Sequence, residues 1–310
     1  MRIATFNVQN MRLRHSKAGV LLSGARDRDA PARESAAAKA SDVIDRQLTA
    51  DVLREADADV VAMQEVFDRE TLDYFHDRIL LPSGCAPYPF RVCLPGNDGR
   101  GYDVALMSRI RLDDVKSHAR LTAKDLGLEG EAGGDTDEPV FRRDCLSARA
   151  GDLTLFVCHF KAPWPDADIA WTTRRLEALA VRRLIERLFP DPGLAQWMIL
   201  GDLNEPQDEP RGERASAPLL DDFAVDLVTR LPEDRRWSYH LQESSIYSRP
   251  DALLASPALA ERFPNAKPLY LRQGLGHEAA EFPGDRLPGV GYHRPHASDH
   301  AAIAIDFDGL

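Results

Sequence analysis

The sequence has few cysteines, no long apolar run and no excess of positive charge, and each lack excludes a class of protein. Its four cysteines in 310 residues show no metal-ligand spacing, so we expect buried thiols rather than a zinc site or a disulfide framework. No apolar segment reaches the length that spans a bilayer. The first residues form a strand pattern instead of a signal peptide. We therefore expect a cytoplasmic protein without a membrane anchor.

The lack of positive charge bears on nucleic-acid binding. The formal net charge is −11, with 39 Lys and Arg against 50 Asp and Glu. Proteins that grip duplex DNA take their affinity from Lys and Arg on phosphates, so a strong duplex binder is disfavoured. A local basic groove, such as one built from the arginine-rich residues 12–33, or a metal ion that bridges to phosphate would compensate.

The pattern of apolar residues predicts one α/β domain over residues 1–310. Short apolar runs bounded by turn residues predict strands at 2–9, 58–65, 88–94, 102–108, 153–159, 197–200, 247–256 and 301–307. Helical spacing predicts helices at 41–56, with Ser41 or Asp42 as N-cap, and at 70–80. A third helix ends at Pro190 and has a predicted buried face of Leu176, Leu179, Ala180, Leu184 and Leu188. We interpret residues 12–40, 113–139 and 272–297 as insertions.

Polar side chains stand at the ends of these predicted strands. The apolar run from Trp197 to Leu200 ends at Gly201, and Asp202 and Asn204 follow two residues apart. Taken alone, this stretch fits a turn, because Gly, Asp and Asn are common turn formers. The other strand ends carry the same kind of residue, however: Asn7, Glu65, His159, Asp251, Asp299 and His300. Strand ends that share one edge of packed sheets would gather these side chains into one acidic pocket that contains histidines.

Such a pocket has the chemistry of a divalent-cation site next to a phosphate. Carboxylate and amide oxygens are hard ligands that suit Mg²⁺ or Mn²⁺ better than Zn²⁺, and Mg²⁺ commonly takes one or two carboxylates plus substrate phosphate. Glu65 and Asp299 would supply the carboxylates. Histidines among carboxylates hold their protons more tightly, and cationic imidazoles beside a metal suit a phosphoryl centre on which charge builds.

Plain structural interpretations stand beside these functional ones. Glu65 and Asp299 also fit ordinary strand-end carboxylates, and His159 fits a histidine satisfied at a strand terminus, with Asp103 as one candidate partner. Asp251 fits an ion pair with Arg249 or Arg262. The i, i+3 spacing of His293 and His296 also fits a further metal site, but we interpret both as flexible loop histidines. Trp164 and Trp171 also fit stacking on a substrate, but we interpret both as packing residues.

Together, the strand-end motifs resemble those of the endonuclease/exonuclease/phosphatase superfamily, which has the DNase I-like fold. The matching pieces run in the family's order and span nearly the whole chain: Phe6-Asn7-Val8, Gln64-Glu65, the strand from Tyr102 to Arg109, His159-Phe160-Lys161-Ala162, Gly201-Asp202-Leu203-Asn204, Asp251 and Ser298-Asp299-His300. The resemblance implies a four-layer α-β-β-α sandwich of two mixed β-sheets.

The resemblance also implies residue roles at the metal and the attacking water. Glu65 is similar to the family's main metal ligand, with Asn7 and Asp299 helping at the metal or the phosphate. Asp202 is similar to the residue that activates or orients the attacking water. Asn204 is similar to the residue that holds the phosphate or the nucleophile.

Further implied roles concern the histidines. His300 resembles the phosphate-binding or general-base histidine, and Asp251 resembles the carboxylate that orients and charges it. His159 resembles the second histidine, which acts on the scissile phosphate and the leaving group. The resemblance leaves open which histidine moves the proton.

From these roles we expect a monomeric Mg²⁺- or Mn²⁺-dependent phosphoester hydrolase, most similar to a nuclease-like phosphodiesterase acting by in-line attack of an activated water. Two enzyme alternatives are a phosphomonoesterase and a sphingomyelinase-like phospholipid diesterase, although the insertions show no Trp/Phe-rich amphipathic patch for a membrane surface. An alternative of another class is a non-catalytic binding or scaffold protein on the same fold, which would be expected to have lost some of these side chains.

Overall fold

The computed structural model describes residues 1–17, 19–26, 36–132, 134–206, 211–220, 222–241 and 245–310. All of the polar residues at the predicted strand ends fall within this part of the chain, as do residues 113–139 except residue 133. Residues 27–33 of the arginine-rich stretch lie outside it.

The described residues form sixteen strands and five α-helices. The strands are β1 Arg2–Met11, β2 Leu13–Ser16, β3 Gly19–Leu22, β4 Val60–Val66, β5 Phe90–Cys93, β6 Asp103–Ser108, β7 Leu112–Ser117, β8 Cys145–Ala150, β9 Leu153–His159, β10 Trp197–Asp202, β11 Val225–Asp226, β12 Tyr239–Leu241, β13 Ile246–Ser248, β14 Asp251–Ala255, β15 Leu269–Leu271 and β16 Ala302–Asp306. The helices are α1 Ala36–Ala56, α2 Arg69–Phe75, α3 Ala123–Leu126, α4 Ala167–Leu188 and α5 Pro257–Arg262, and a π-helical turn, His76–Leu80, extends α2.

Twelve of these strands form two six-stranded mixed sheets. The first sheet has the order β15-β16-β1-β4-β6-β5, and the second has the order β11-β14-β10-β9-β8-β7. Each sheet contains one parallel pair, β1 with β4 and β9 with β10, flanked by antiparallel neighbours. The parallel pairs matter for the site because parallel strands bring their carboxyl ends to the same edge.

Burial of both faces of each sheet explains the near-continuous apolar runs in the sequence. Alternate residues such as Ile3 and Val157 pack between the two sheets. Their neighbours along the strands, such as Phe6, pack under α1 and α2, and residues such as Phe156 pack under α4. The predicted four-layer α-β-β-α sandwich of the DNase I-like fold is thereby confirmed.

The helices differ from prediction in where they begin and in how far a buried face extends. Helix α1 begins at Ala36, not at Ser41 or Asp42, and Asp42 is buried in ion pairs with Arg26 and Arg294. In α4 the predicted face is right except at its end: Ala180 is buried, Leu176, Leu179 and Leu184 are half-buried against the core, and Leu188 is 54% exposed. The fully buried residues are Ala170, Arg174, Glu177, Ala178, Ala180, Val181 and Ile185. The two buried charged groups were not part of the predicted face.

Several short strands were not predicted. β7 begins just before residues 113–139, which were interpreted as an exposed insertion, and its charged, half-exposed residues reflect its position at the edge of the second sheet. Residues 12–40 contain the β2–β3 hairpin and the start of α1. Residues 272–299 contain no helix or strand, as expected of a Gly/Pro-rich segment.

All four cysteines are free and buried, as predicted. Cys145 and Cys158 are cross-strand partners whose Sγ atoms lie 3.7 Å apart. Among the helices described, none is long and apolar enough to cross a membrane.

Gly201 provides a test of how closely β9 and β10 approach beside the site. Its φ of +133° is in the region that favours glycine, and an added Cβ would overlap the carbonyl oxygen of Cys158. We expect Gly201→Ala to lower the free energy of unfolding by about 2–5 kcal/mol, since backbone strain adds to overpacking. Urea denaturation measures the change.

The matched control is Gly130→Ala, where an added Cβ meets no atom within 4 Å. This variant is expected to stay within about 0.5 kcal/mol of wild type. Equal stability of the two variants would contradict the close approach of the strands at Gly201.

Candidate active site

The polar strand ends meet where the two sheets face each other. Asn7, His159, Asp202 and Asp251 continue the inward-facing alternation of their strands, and all are at most 3% exposed. In the second sheet Asp202 is the register partner of both His159 and Asp251. The apolar residues that face the space between the two sheets are therefore followed, at one edge of the sheets, by polar residues that face the same way.

Asp202 is the centre of this arrangement. Its Oδ2 accepts a hydrogen bond of 3.0 Å from the amide Nδ2 of Asn7, and its Oδ1 accepts one of 2.8 Å from the backbone N–H of Asn204. The Nε2 atoms of His159 and His300 lie 3.6 and 3.8 Å from the same Oδ2. One carboxylate thus contacts groups from both sheets and from the segment before β16.

Charge at this centre is balanced within a buried cluster. Burial raises the pKa of Asp202 to about 6, reinforced by the charge of Asp251 and opposed by His300. Burial by itself would lower the pKa of His300. The negative charge and hydrogen bond of Asp251 outweigh burial, the charges of Asp202 and Asp299 add to this effect, and the pKa of His300 rises to about 10. His300 is therefore an imidazolium at neutral pH, and Asp202 is ionised there but more basic than an ordinary aspartate.

Two supporting residues were not predicted from the sequence. Ser238 donates from Oγ to Oδ2 of Asp251 at 2.6 Å, and the same Oδ2 lies 2.8 Å from Nδ1 of His300. The ring of Tyr239 lies over that of His300, with centroids 4.8 Å apart. Both residues lie at the start of the β12–β13 hairpin, and neither the spacing nor the composition of that segment marks them in the sequence.

Glu65 and Asp299 lie beside this cluster and face an open cleft, which Gln9 and Asn10 also line. Glu65 is the extra residue of a β-bulge in β4, with φ +66°, and the adjoining irregularity in β1 places Gln9 and Asn10 at φ +47° and +55°. Non-glycine residues rarely adopt such angles, and bulges often re-aim side chains beside functional sites. The bulges aim Glu65 away from the buried face and into the cleft.

Arg46 of α1 supports these bulges and was also missed. Its buried guanidinium donates to the carbonyl oxygens of Val8 and Gln9 at 2.5 Å and of Ser23 at 2.6 Å. Because a buried carbonyl without a donor is costly, Arg46 stabilises the irregular path of β1. Nothing in the helical pattern around Arg46 distinguishes it from Arg54 of the same helix, so this contact could not be predicted from the sequence.

Several alternative interpretations are settled by the contacts. Asp251 bonds to His300 rather than pairing with Arg249, whose guanidinium contacts Asp226. Asp103 accepts the N–H of Gly96 at 2.8 Å, which accounts for the carboxylate without His159.

Two loop and packing assignments were wrong. His296 is 4% exposed and bonds through Nε2 to Oε1 of Gln9 at 3.0 Å, so it is a buried residue that braces the site rather than a flexible loop histidine. Trp164 is 69% exposed at the rim of the cleft and does not pack into the core. Trp171 bonds through Nε1 to the carbonyl oxygen of Glu213, consistent with a structural role.

Residues 4–300 match the model of the Endonuclease/Exonuclease/phosphatase family. The chain belongs to this family. Members of the endonuclease/exonuclease/phosphatase family are hydrolases that act on phosphoester bonds. No curated protein sequence matches the chain.

Solved structures of endonuclease/exonuclease/phosphatase proteins share the fold at low sequence identity. An AP endonuclease from Archaeoglobus fulgidus is 17% identical, with 99% of each chain covered and a TM-score of 0.59. A 3′-5′ exonuclease from Neisseria meningitidis is 18% identical, with 99% of this chain and 100% of that chain covered and a TM-score of 0.56. Truncated TDP2 from Caenorhabditis elegans is 14% identical, with 98% and 96% covered and a TM-score of 0.55.

Two groups of side chains in this family member have donors suited to a cation. Asp202, Asp251 and His300 offer atoms within 4.8 Å of one another. However, these groups are buried and already bonded: His300 Nδ1 lies 2.8 Å from Oδ2 of Asp251, and both carboxylate oxygens of Asp202 accept hydrogen bonds from Asn7 and Asn204. The group of Glu65, Asp299 and Asn10 suits a cation better because it faces the cleft.

Asn10 provides a direct indication that the second group fits a cation. Its Oδ1 is buried without a hydrogen-bond partner among the described residues, while its backbone N–H donates to Oε2 of Glu65 at 2.8 Å. An unsatisfied amide oxygen beside a carboxylate is a hard donor pair. Asn7 differs, since its Nδ2 bonds to Asp202 and its Oδ1 accepts the N–H of Gln9. Through these contacts the side chain of Asn7 joins the carboxylate of Asp202 to the backbone of β1.

A cavity of about 710 Å³, larger than the cleft beside Glu65 at about 560 Å³, lies against β7, β8 and the end of α4. Its lining includes Leu184 and Phe189 but none of the predicted site residues. We therefore place the candidate active site at the polar strand ends.

The charge on His300 can be tested through Asp251. Asp251→Asn removes the charge that opposes burial, so we expect the pKa of His300 to fall from about 10 toward its ordinary 6.5. In the wild type, the raised pKa means that His300 stabilises the fold fully below pH 6.5 and loses this contribution as the pH rises through 10. NMR titration of the imidazole without added metal measures the pKa.

The control is Asp226→Asn, which alters a carboxylate paired with Arg249 and should leave the pKa of His300 unchanged. An unchanged pKa of His300 in Asp251→Asn would contradict the pairing of His300 with Asp251.

Proposed function

We propose that this protein is a divalent-metal-dependent phosphodiesterase that cleaves nucleic acid by in-line attack of an activated water. The observation that carries the proposal is the buried Asp202 carboxylate, which lies within 3.8 Å of Asn7, His159 and His300. Family membership supports phosphoester hydrolysis. Relatives of the same fold include an AP endonuclease and a 3′ phosphatase bound to product DNA, which suggests nucleic acid as the substrate.

Asp202 is suited to position the attacking water and accept its proton. A pKa of about 6 leaves the group ionised at neutral pH yet basic enough to take a proton. The hydrogen bonds from Asn7 and from the backbone of Asn204 fix both carboxylate oxygens. This preorganisation reduces the reorganisation needed during attack.

His300 and His159 are suited to the developing negative charge of the phosphate. His300 is held as an imidazolium by Asp251, and Ser238 fixes that carboxylate in turn. His159 approaches Asp202 from the neighbouring strand. In this proposal both imidazoles donate to phosphate oxygens, and a protonated one supplies the leaving oxygen with its proton.

Glu65 and Asp299 are the residues that would hold the metal, with the amide oxygen of Asn10 beside them. A divalent cation there would act as a Lewis acid that neutralises phosphate charge. The bulged backbone, held by Arg46, fixes the direction of Glu65 before any ion binds.

Removal of Asp202 tests the hydrolytic role. We expect Asp202→Ala to lower kcat about 10²–10⁴-fold, the range of general acid–base catalysis, because the water loses its base. The assay compares bis(p-nitrophenyl) phosphate, p-nitrophenyl phosphate, single- and double-stranded DNA, RNA and sphingomyelin vesicles with Mg²⁺, Mn²⁺ or EDTA. The panel separates a phosphodiesterase from a phosphomonoesterase and a phospholipid diesterase.

Asp202→Asn keeps the shape of the side chain and guards against loss of the fold, which circular dichroism monitors. Asp152→Ala, in the exposed turn before β9, is the control and should turn over like wild type. Near wild-type turnover in a folded Asp202→Ala protein would overturn the proposal, as would metal-independent hydrolysis.

Metal binding at Glu65 has a readout that does not need activity. A ligand that binds only the folded state stabilises it by about 2.7 kcal/mol at 100 times its Kd. Mg²⁺ or Mn²⁺ should therefore raise the Tm of wild type, and should raise that of Glu65→Gln much less. Glu129→Gln, which alters an exposed carboxylate in a loop, is the matched control. Equal Tm increases in all three proteins would place the ion elsewhere.

A further inference from the structure

An open cleft lies next to Glu65 and Asp299. It has a volume of about 560 Å³ and is lined by residues 97–100, 142–143, 161–162 and 164–165 in addition to the metal candidates. Ligand pockets commonly fall within roughly 300–1,000 Å³, so the cleft has room for a nucleotide unit beyond the reacting phosphate.

The cleft is basic although the whole chain is acidic. Four cationic side chains line it, Arg100, Arg142, Arg143 and Lys161, against three carboxylates, those of Glu65, Asp98 and Asp299. A metal ion on two of those carboxylates would increase the positive charge. This local reversal of sign, in a chain with a net charge of −11, points to an anionic ligand.

The four cations are not equivalent. Arg100 and the buried Arg143 both pair with Asp98, and Arg143 also donates to the carbonyl oxygen of Phe160 at 2.7 Å. These two arginines build the wall of the cleft. Arg142 is exposed, and its guanidinium forms no hydrogen bond or ion pair with the residues that the structure describes. Its planar fork is therefore available to a phosphate.

Trp164 is the aromatic residue of the cleft. Its side chain is 69% exposed, which is unusual for a tryptophan without a partner surface. Lys161 Nζ donates to the backbone carbonyl oxygens of Ala162 and Trp164, which folds this loop onto itself and holds the backbone that carries the indole. An exposed indole beside a cation is a platform on which a nucleic-acid base can stack.

We propose that this cleft binds the nucleotide adjoining the scissile phosphate of a single-stranded polynucleotide, with Arg142 on its phosphate and Trp164 stacked on its base. The inference rests on the proposed function, since it takes the cleaved bond to lie at Asp202. Stacking on Trp164 requires a base that is free of its own stack, which a single strand offers. Affinity from stacking and one free arginine also suits an acidic protein, which lacks the charge to grip a duplex.

The experiment compares an oligothymidylate with bis(p-nitrophenyl) phosphate, which has no neighbouring nucleotide. Trp164→Ala and Arg142→Ala should each lower kcat/KM for the oligonucleotide on the order of 10-fold to 100-fold, with a clearly smaller loss on the small diester. Arg142→Ala should also reduce the slope of log affinity against log salt by about 0.7, the value for one phosphate contact on a single strand.

Matched controls come from residues outside the cleft. Trp171→Phe alters a tryptophan bonded to Glu213, and Arg78→Ala removes an exposed arginine after α2. Neither substitution should change kcat/KM for the oligothymidylate or for bis(p-nitrophenyl) phosphate. A blunt DNA duplex is the third substrate, and Trp164→Ala should cost less on it than on the single strand.

Three results would overturn the inference: equal losses on the oligonucleotide and the small diester, no loss on either, or equal dependence on Trp164 for the single strand and the duplex. Failure of the proposed function gives a different pattern, in which the wild type hydrolyses neither substrate. In that case oligothymidylate binding, measured by fluorescence anisotropy with the same variants, still tests the cleft.

Discussion

The hydrogen bond from Asn7 to Asp202 joins β1, just before its irregular segment, to the carboxyl end of β10, and thereby joins the two sheets at the edge where the site lies. Asp202 is 2% exposed, and a buried carboxylate is stable only when other groups replace the water it has lost. Asn7, Asn204 and the two histidines supply that replacement. The requirement to solvate one buried charge therefore fixes where several strand ends lie relative to one another.

A second constraint is the irregular backbone of β1 and β4. Left-handed residues in neighbouring strands cost conformational energy, and the surrounding contacts hold them in place. Arg46 binds the carbonyl oxygens of the bulge, and His296 holds the side chain of Gln9. Regular strands would have sent Glu65 toward the helix layer, where its charge would be buried without a ligand.

Charge is distributed unevenly over the molecule in a way that suits its proposed substrate. The chain as a whole is acidic, so it has little general attraction for polyanions. Beside the candidate metal residues the sign reverses, and an exposed tryptophan accompanies the reversal. The arginine-rich residues 12–33 suggested a basic groove in the sequence, but the basic groove of the described structure comes from residues far apart in the chain.

The sequence by itself determined the strands that are buried on both faces, because their unbroken apolar runs have no other stable location. It also determined the candidate site, since a polar residue that ends such a run must face solvent, a partner or an ion, as Asn7, His159 and Asp202 do. Only the tertiary structure decided the rest. Edge strands such as β7 take their stability from pairing rather than from burial, and the roles of Arg46, Ser238 and Arg142 depend on contacts or spaces made by distant segments, which no local pattern of residues encodes.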